Sequence, residues 1–130
     1  MARMDIIPFL SDFQLGKGEL RKEGYMVYPL LGDSLSEYIK EIFCLNYKYI
    51  KVMMVHVPEG IFVADHIHRR GMEIFIPIKE VFLTIDGKFR ASKFPVKVLP
   101  GSIHSVVGKQ TFYVVKAYNN RFDKLHLQAE

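Results

Sequence analysis

Three histidines and one glutamate, His66, His68, Glu73 and His104, have the types and spacing of a metal site. Residues two apart in a β-strand point to one face, so His66 and His68 share a side and form a two-armed ligand. Arg69 to Met72 read as a tight turn with Gly71 as its flexible element, after which Glu73 opens an antiparallel strand across from the histidine pair. The odd spacing from His68 to Glu73 would mismatch on one straight strand, and the turn resets it. His104 follows another turn, Pro100-Gly101, and begins a further strand. One histidine in an apolar strand is usually a core or surface residue, but four metal-competent side chains at these spacings predict a site. Neutral imidazoles with one carboxylate suit a divalent transition metal: iron, manganese, nickel, copper, cobalt or zinc. On an octahedral ion four protein ligands leave two positions open for a substrate or dioxygen, whereas on tetrahedral zinc they close the site.

The elements that must position these residues are mostly strands. Residues 1–23 read as an N-terminal arm with a short apolar opening (Ile6, Ile7, Phe9, Leu10), and 24–130 as one domain. Tyr25 to Tyr28 is strand-like and ends at Pro29. Ser34 to Phe43 is the one segment expected to be helical, with Ser34 as cap and Glu37 three residues on as in a capping box; a strand with an irregular turn fits it equally. Strands are expected near 47–57, 61–68, 73–76, 80–86, 89–91, 96–99, 104–107 and 111–118, separated by glycine-containing turns, a pattern of an antiparallel sandwich or barrel. Asp86-Gly87 is the clearest hairpin signal, since both central residues of a type I′ turn need positive φ. Pro77 implies an edge or a bulge, because proline removes a ladder hydrogen bond.

Gly60, His66, His68 and Glu73 fit the first motif of the cupin superfamily, Gly-x5-His-x-His-x3–4-Glu-x6-Gly, and Gly101-Ser102-Ile103-His104 fits the Gly-x-x-His of its second. The chain therefore resembles a small single-domain cupin over about residues 47–118. The resemblance implies an all-β fold, a jelly-roll β-barrel with at most one short helix besides the arm, and one metal ion held in its mouth by the four residues. Lys79 or Glu80 stands where the first motif has its second Gly, Pro100 directly precedes Gly101, and Gly108 replaces the common Asn. None of these departures touches a ligand.

Strand alternation extends the reading to the pocket. Inward His66 and His68 bring Ala64 and Phe62 with them, Glu73 brings Phe75, and His104 brings Ser102 and Val106, which makes a mainly apolar lining. On the last long strand either Phe112, Val114, Lys116 and Tyr118 or Tyr113, Val115 and Ala117 face in. Arg69 and Arg70 at the mouth, and an inward Lys116, are the candidates to bind an anionic substrate, although solvated positions explain them as well. His56 reads as a packed or surface residue rather than a fifth ligand, His126 carries no signal, and Cys44 reads as a small buried residue.

Composition narrows the function classes. With 49% hydrophobic and 25% charged residues, ten Phe and seven Tyr, the chain has the makings of one core. The formal charge of +4 is unevenly spread, with residues 66–130 holding 11 Lys and Arg against 5 Asp and Glu, but these lysines are scattered rather than clustered with aromatics, so no nucleic-acid partner is expected. No run approaches the roughly eighteen apolar residues of a spanning helix, so no membrane role is expected. A lone cysteine and the absence of a leader-like start point to a cytoplasmic protein. The arm suggests a covered sheet edge, in the same subunit or in a C2 homodimer. The function expected is a metal-dependent enzyme on a small oxygenated molecule, with oxygenase chemistry favoured by the apolar lining. The alternatives are a sugar or phosphosugar isomerase and a non-catalytic module that binds a small ligand through the metal.

Overall fold

The computed structural model describes residues 6–120 and the backbone of 125–126. In chain order the elements are α1 (Ile6–Ser11), β1 (Gln14–Leu15), β2 (Glu19–Leu20), β3 (Met26–Leu31), α2 (Leu35–Phe43), β4 (Tyr49–Val57), β5 (Phe62–Ile67), β6 (Gly71–Pro77), β7 (Val81–Ile85), β8 (Lys88–Ser92), β9 (Val96–Val98), β10 (His104–Val107), β11 (Gln110–Tyr118) and β12 (Leu125–His126). They form two facing antiparallel sheets. The first runs β1-β3-β4-β11-β6-β9 with β2 on β3, and the second runs β12-β5-β10-β7-β8. This is the jelly-roll arrangement, with two short helices where the sequence suggests at most one.

Two apolar clusters explain the layering. Between the sheets, Val55, Phe75, Phe112 and Val114 of the first meet Val63, Leu83 and Val106 of the second. Outside the first sheet, α1 and α2 lie over Val52, Ile74, Ile76 and Val115. Strand β6 therefore has neighbours on both faces, and all seven of its residues are buried. Its near-continuous apolar run follows from that position, as in any strand covered on both sides.

The amphipathic face of Leu35, Tyr38, Ile39 and Ile42 makes the segment helical, because it has a sheet to bury against; Ile39 is fully buried. Ser34 does not cap it: its backbone is already helical (φ −91°, ψ −2°) and its side chain makes no cap hydrogen bond. Cys44 ends the helix in a left-handed conformation (φ 54°) and is exposed, not buried, because a C-terminal cap points away from the packed face. The apolar opening of the arm forms α1, whose Ile6 and Leu10 are buried and whose Phe9 stacks on Tyr38 at 3.8 Å. The arm covers its own subunit, since β1 and β2 both pair with β3.

Pro29 does not end its strand, and Pro77 stands where the ladder is one-sided. Pro29 lies inside β3, opposite Met53. Pro77 is the last residue of β6, past the point where β9 stops pairing at Phe75, so the strand has a ladder neighbour on one side only. Asp86 and Gly87 form the β7–β8 turn with φ of 50° and 80°, and Ile85 faces Lys88 across it. Gly108 links β10 to β11 where its α-carbon lies against the Pro58 carbonyl and its N–H donates to Ile61 O at 2.8 Å, which leaves no room for an Asn or any other side chain.

Candidate metal centre

His66 lies near the end of β5 and His104 is the first residue of β10, directly across from it. The strand ends at Ile67, and His68 stands one residue past it. A backbone bond fixes that residue: Gly101 N–H donates to His68 O at 2.8 Å, which ties His68 to the turn that launches His104. Gly101 has φ 88°, a conformation that favours glycine. On the other side of His104, Asp86 Oδ1 accepts from Ile103 N at 2.9 Å and Asp86 N donates to Ile103 O at 2.7 Å. The loop before His104 is thus held at both ends.

Glu73 does not come from a hairpin partner of β5. Strand β6 pairs with β11 and β9 in the first sheet, so Glu73 reaches the histidines from the facing sheet. The four side chains are buried, and one donor atom from each lies within 4.8 Å of every other. Opposite donors on a single ion stand about 4.2 Å apart at the usual bond lengths, so the group has nearly the span of one coordination shell.

Hydrogen bonds set the ring orientations. His66 Nδ1 donates to Ala64 O at 2.8 Å, and His104 Nδ1 approaches Ser102 O at 3.4 Å. Each bond assigns the Nδ1 proton and turns Nε2 toward the centre, the arrangement that prepares a histidine for a metal. His104 Nε2 lies 2.8 Å and His68 Nε2 2.9 Å from Glu73 Oε1. Burial pushes the Glu73 carboxyl upward, but hydrogen bonds from His104 and His68 and the charges of His68 and Lys116 outweigh it and hold the group well below the usual glutamate range. A buried carboxylate held in its ionised form, with the Nε2 atoms of His68 and His104 against it, is a donor set that could hold a cation. A divalent ion can take the place of the protons between them while the Nδ1 bonds stay as they are.

The centre lies in the wall of a cavity of about 790 Å³. Val63, Phe75, Val106, Phe112 and Val114 make its apolar part. Phe75 and Val106 lie where alternation puts them, but Phe62 is 59% exposed on the outer face, and neither Ala64 nor Ser102 lines the cavity. For Phe62 and Ala64 the reason is a bulge: His104 faces His66 while Val106 faces Val63, so three residue steps of β5 span two of β10, whereas Ser102 lies ahead of β10. The extra residue reverses the alternation between Val63 and His66. On β11 the even-numbered set faces in, with Phe112, Val114, Lys116 and Tyr118 in the lining. Arg69 and Arg70 are exposed in the turn and outside the lining. The mouth is more polar than the sequence implies, with Lys51 from β4 and Glu19, Arg21, Lys22 and Glu23 from the arm. Nothing in the local sequence of the arm marks these residues, because only the pairing of β2 with β3 carries them there. His56 bonds Thr111 Oγ1 at 2.8 Å, away from the centre, and the side chain of His126 lies outside the described residues.

No family model and no curated protein matches the chain. Solved structures do match in fold. A cupin 2 conserved barrel domain protein from Rhodopseudomonas palustris superposes with a TM-score of 0.59 at 10% identity, covering 90% of this chain and 79% of that one. KdgF from Halomonas sp. gives 0.57 at 11%, covering 81% and 87%. Streptomyces PAC13, solved with uridine, gives 0.57 at 14%, covering 88% and 91%. The chain has the cupin fold.

Proposed function

We propose that the chain is a metal-dependent cupin protein whose His66, His68, Glu73 and His104 hold one divalent transition-metal ion, and that it acts on a small oxygenated molecule seated in the cavity beside it. The observation that carries this reading is the convergence of four buried donors from two facing sheets, with Glu73 already ionised and two ring orientations already set. A bound ion would supply Lewis acidity, and a redox-active one also an electron source, to an oxygen of the ligand. The chain's own residues exclude water at the apolar end through Phe75, Phe112 and Val114, and present polar groups at the mouth.

The apolar lining next to the histidines supports oxygenase-type chemistry, which asks little acid–base work of the protein. A second reading, isomerisation of a sugar or phosphosugar, gains from Lys116, Glu23 and Tyr118, inward polar groups of the kind that proton transfer along a carbon chain requires. Elemental analysis with an oxygen-uptake screen separates them: iron or copper with substrate-dependent uptake supports the first, and turnover without uptake the second. Tightly held zinc with no turnover leaves ligand binding as the function. His68→Ala is expected to lose the metal, and unchanged metal content in that variant overturns the assignment. We further propose a C2 dimer, for which the exposed cross-strand pair Phe62 and Val107 on the outer face of the second sheet is the candidate contact. A monomeric mass by light scattering would rule it out.

A further inference from the structure

The cavity changes character within one step of the metal centre. On the inner face of the first sheet Glu73 shares a row with Lys116 and Lys51; the next row along the strands is Phe75, Val114 and Met53, and the one after it holds Phe112 and Val55. Val63 and Val106 meet these rows from the second sheet, next to His66 and His104. All of these side chains line the cavity. Two residues span about 7 Å of strand, so the apolar wall runs about 14 Å from the charged row. The backbone adds no polar group at its centre, because Val114 is paired on both sides, with Met53 and Phe75, and Val106 likewise, with Val63 and Leu83. Three rings lead inward along it: His104 to Phe75 at 5.9 Å, edge-on, and Phe75 to Phe112 at 5.3 Å. A packed interior leaves few voids larger than a water molecule, yet about 790 Å³ opens onto this wall. Water held there finds few hydrogen-bond partners, so an apolar group that displaces it gains up to about fourfold in affinity per methylene.

We propose that the ligand of this protein is amphipathic: its oxygenated head faces the metal centre, and a compact apolar group, a ring or a short alkyl chain, lies against Phe75, Val114 and Val106. Glu73 and Phe75 stand two residues apart on β6, so one small molecule reaches both regions. The inference rests on the reading of the cavity as a ligand site beside a metal, and it narrows that reading. A free sugar or another polyol has no part that gains from the apolar wall, and its hydroxyls lose water there without finding partners. A molecule with one oxygenated end and one hydrocarbon end matches the order in which the strands present their side chains.

Protein loaded with cobalt(II), whose visible spectrum reports ligation, is titrated with acetohydroxamate, hexanohydroxamate, benzohydroxamate and gluconohydroxamate. These share one chelating head and differ in what it carries, so acetohydroxamate tests the metal centre alone. Hexanohydroxamate or benzohydroxamate is expected to bind about tenfold or more tighter than acetohydroxamate, and gluconohydroxamate, the polyol, no tighter. The preferred one of the two apolar ligands tells a chain from a ring. Val55→Phe fills the far end of the wall and is expected to remove most of the gain with acetohydroxamate binding and metal content unchanged. Met53→Gln keeps the side-chain length at a partly buried position, so it stays informative should Val55→Phe fold poorly, and it is expected to reduce the gain several-fold. A polyol bound as tightly as the apolar ligands, no gain over acetohydroxamate, or a gain that survives both variants overturns the amphipathic ligand. Should the protein take up no cobalt, benzyl alcohol and glycerol are compared by calorimetry. Preference for benzyl alcohol then keeps the apolar subsite and sinks the metal reading, and no preference overturns both.

Discussion

At the scale of single residues, Glu73 decides most. Its carboxyl is held below the ordinary glutamate range, so the sign of its pH effect is fixed: the stabilisation is complete above the unfolded value near about 4.3 and is lost as pH falls from there toward the lowered folded value. Metal-free native protein should therefore lose stability on acidification, and Glu73→Gln should show a shallower acid branch, read from urea midpoints across pH. An equally steep branch in the variant would show that the group does not carry the effect. Gln110 is a buried residue that no pattern marks. Its amide donates to Phe82 O at 2.7 Å and Val107 O at 2.6 Å while its oxygen accepts from Phe82 N at 2.8 Å, which joins β7 to the turn after β10. Gln110→Leu leaves those backbone groups unpaired and should cost about 2 kcal/mol by denaturant unfolding. A change within error would mean that water replaces the amide.

At the scale of elements, what is legible in the residues is local. The His66–His68 pair shares a side because period-two alternation needs only neighbours in sequence, and Asp86-Gly87 announces its turn because both residues must take positive φ. Which strand pairs with which is non-local, and the position of Glu73 depends on it: a turn between β5 and β6 is equally compatible with a hairpin and with a crossing between sheets. The β5 bulge is illegible for a related reason. An unpaired residue has no propensity signature, yet it moves Phe62 and Ala64 out of the cavity. Deletion of Ala64 should convert the bulge into a regular ladder with Val63 and His66 still on the inner face, so the shortened chain is expected to fold and keep its metal. Loss of metal with native circular dichroism would show that the bulge itself aims His66. Gly108 fails sequence comparison with the cupin motif for a steric reason that only the packed loops disclose, and Gly108→Ala should cost about 3 kcal/mol or more, since the obstacle is backbone.

At the scale of the whole molecule, the donors bridge two sheets, so an ion bound by all four would link them and stabilise the folded state by mass action. Free metal at a hundred times its dissociation constant adds about 2.7 kcal/mol. The melting temperature should rise on metal addition in the native protein and stay unchanged in His68→Ala; a matching rise in the variant would place the ion elsewhere. Ile39, under α2 on the far side of the first sheet, offers the converse: Ile39→Ala should cost about 3 kcal/mol through a cavity while metal binding persists. The burial of β6 on both faces has a further consequence, in time rather than in energy. Its amide hydrogens, with those of central β11, should exchange with solvent only when the whole chain opens. Glu73 thus belongs to the slowest part of the molecule, whereas His68 stands one residue past the end of β5, in a turn whose His68 carbonyl accepts from Gly101 N–H. Hydrogen exchange should therefore rank the Glu73 amide among the slowest and the His68 amide, outside the strand, among the faster ones.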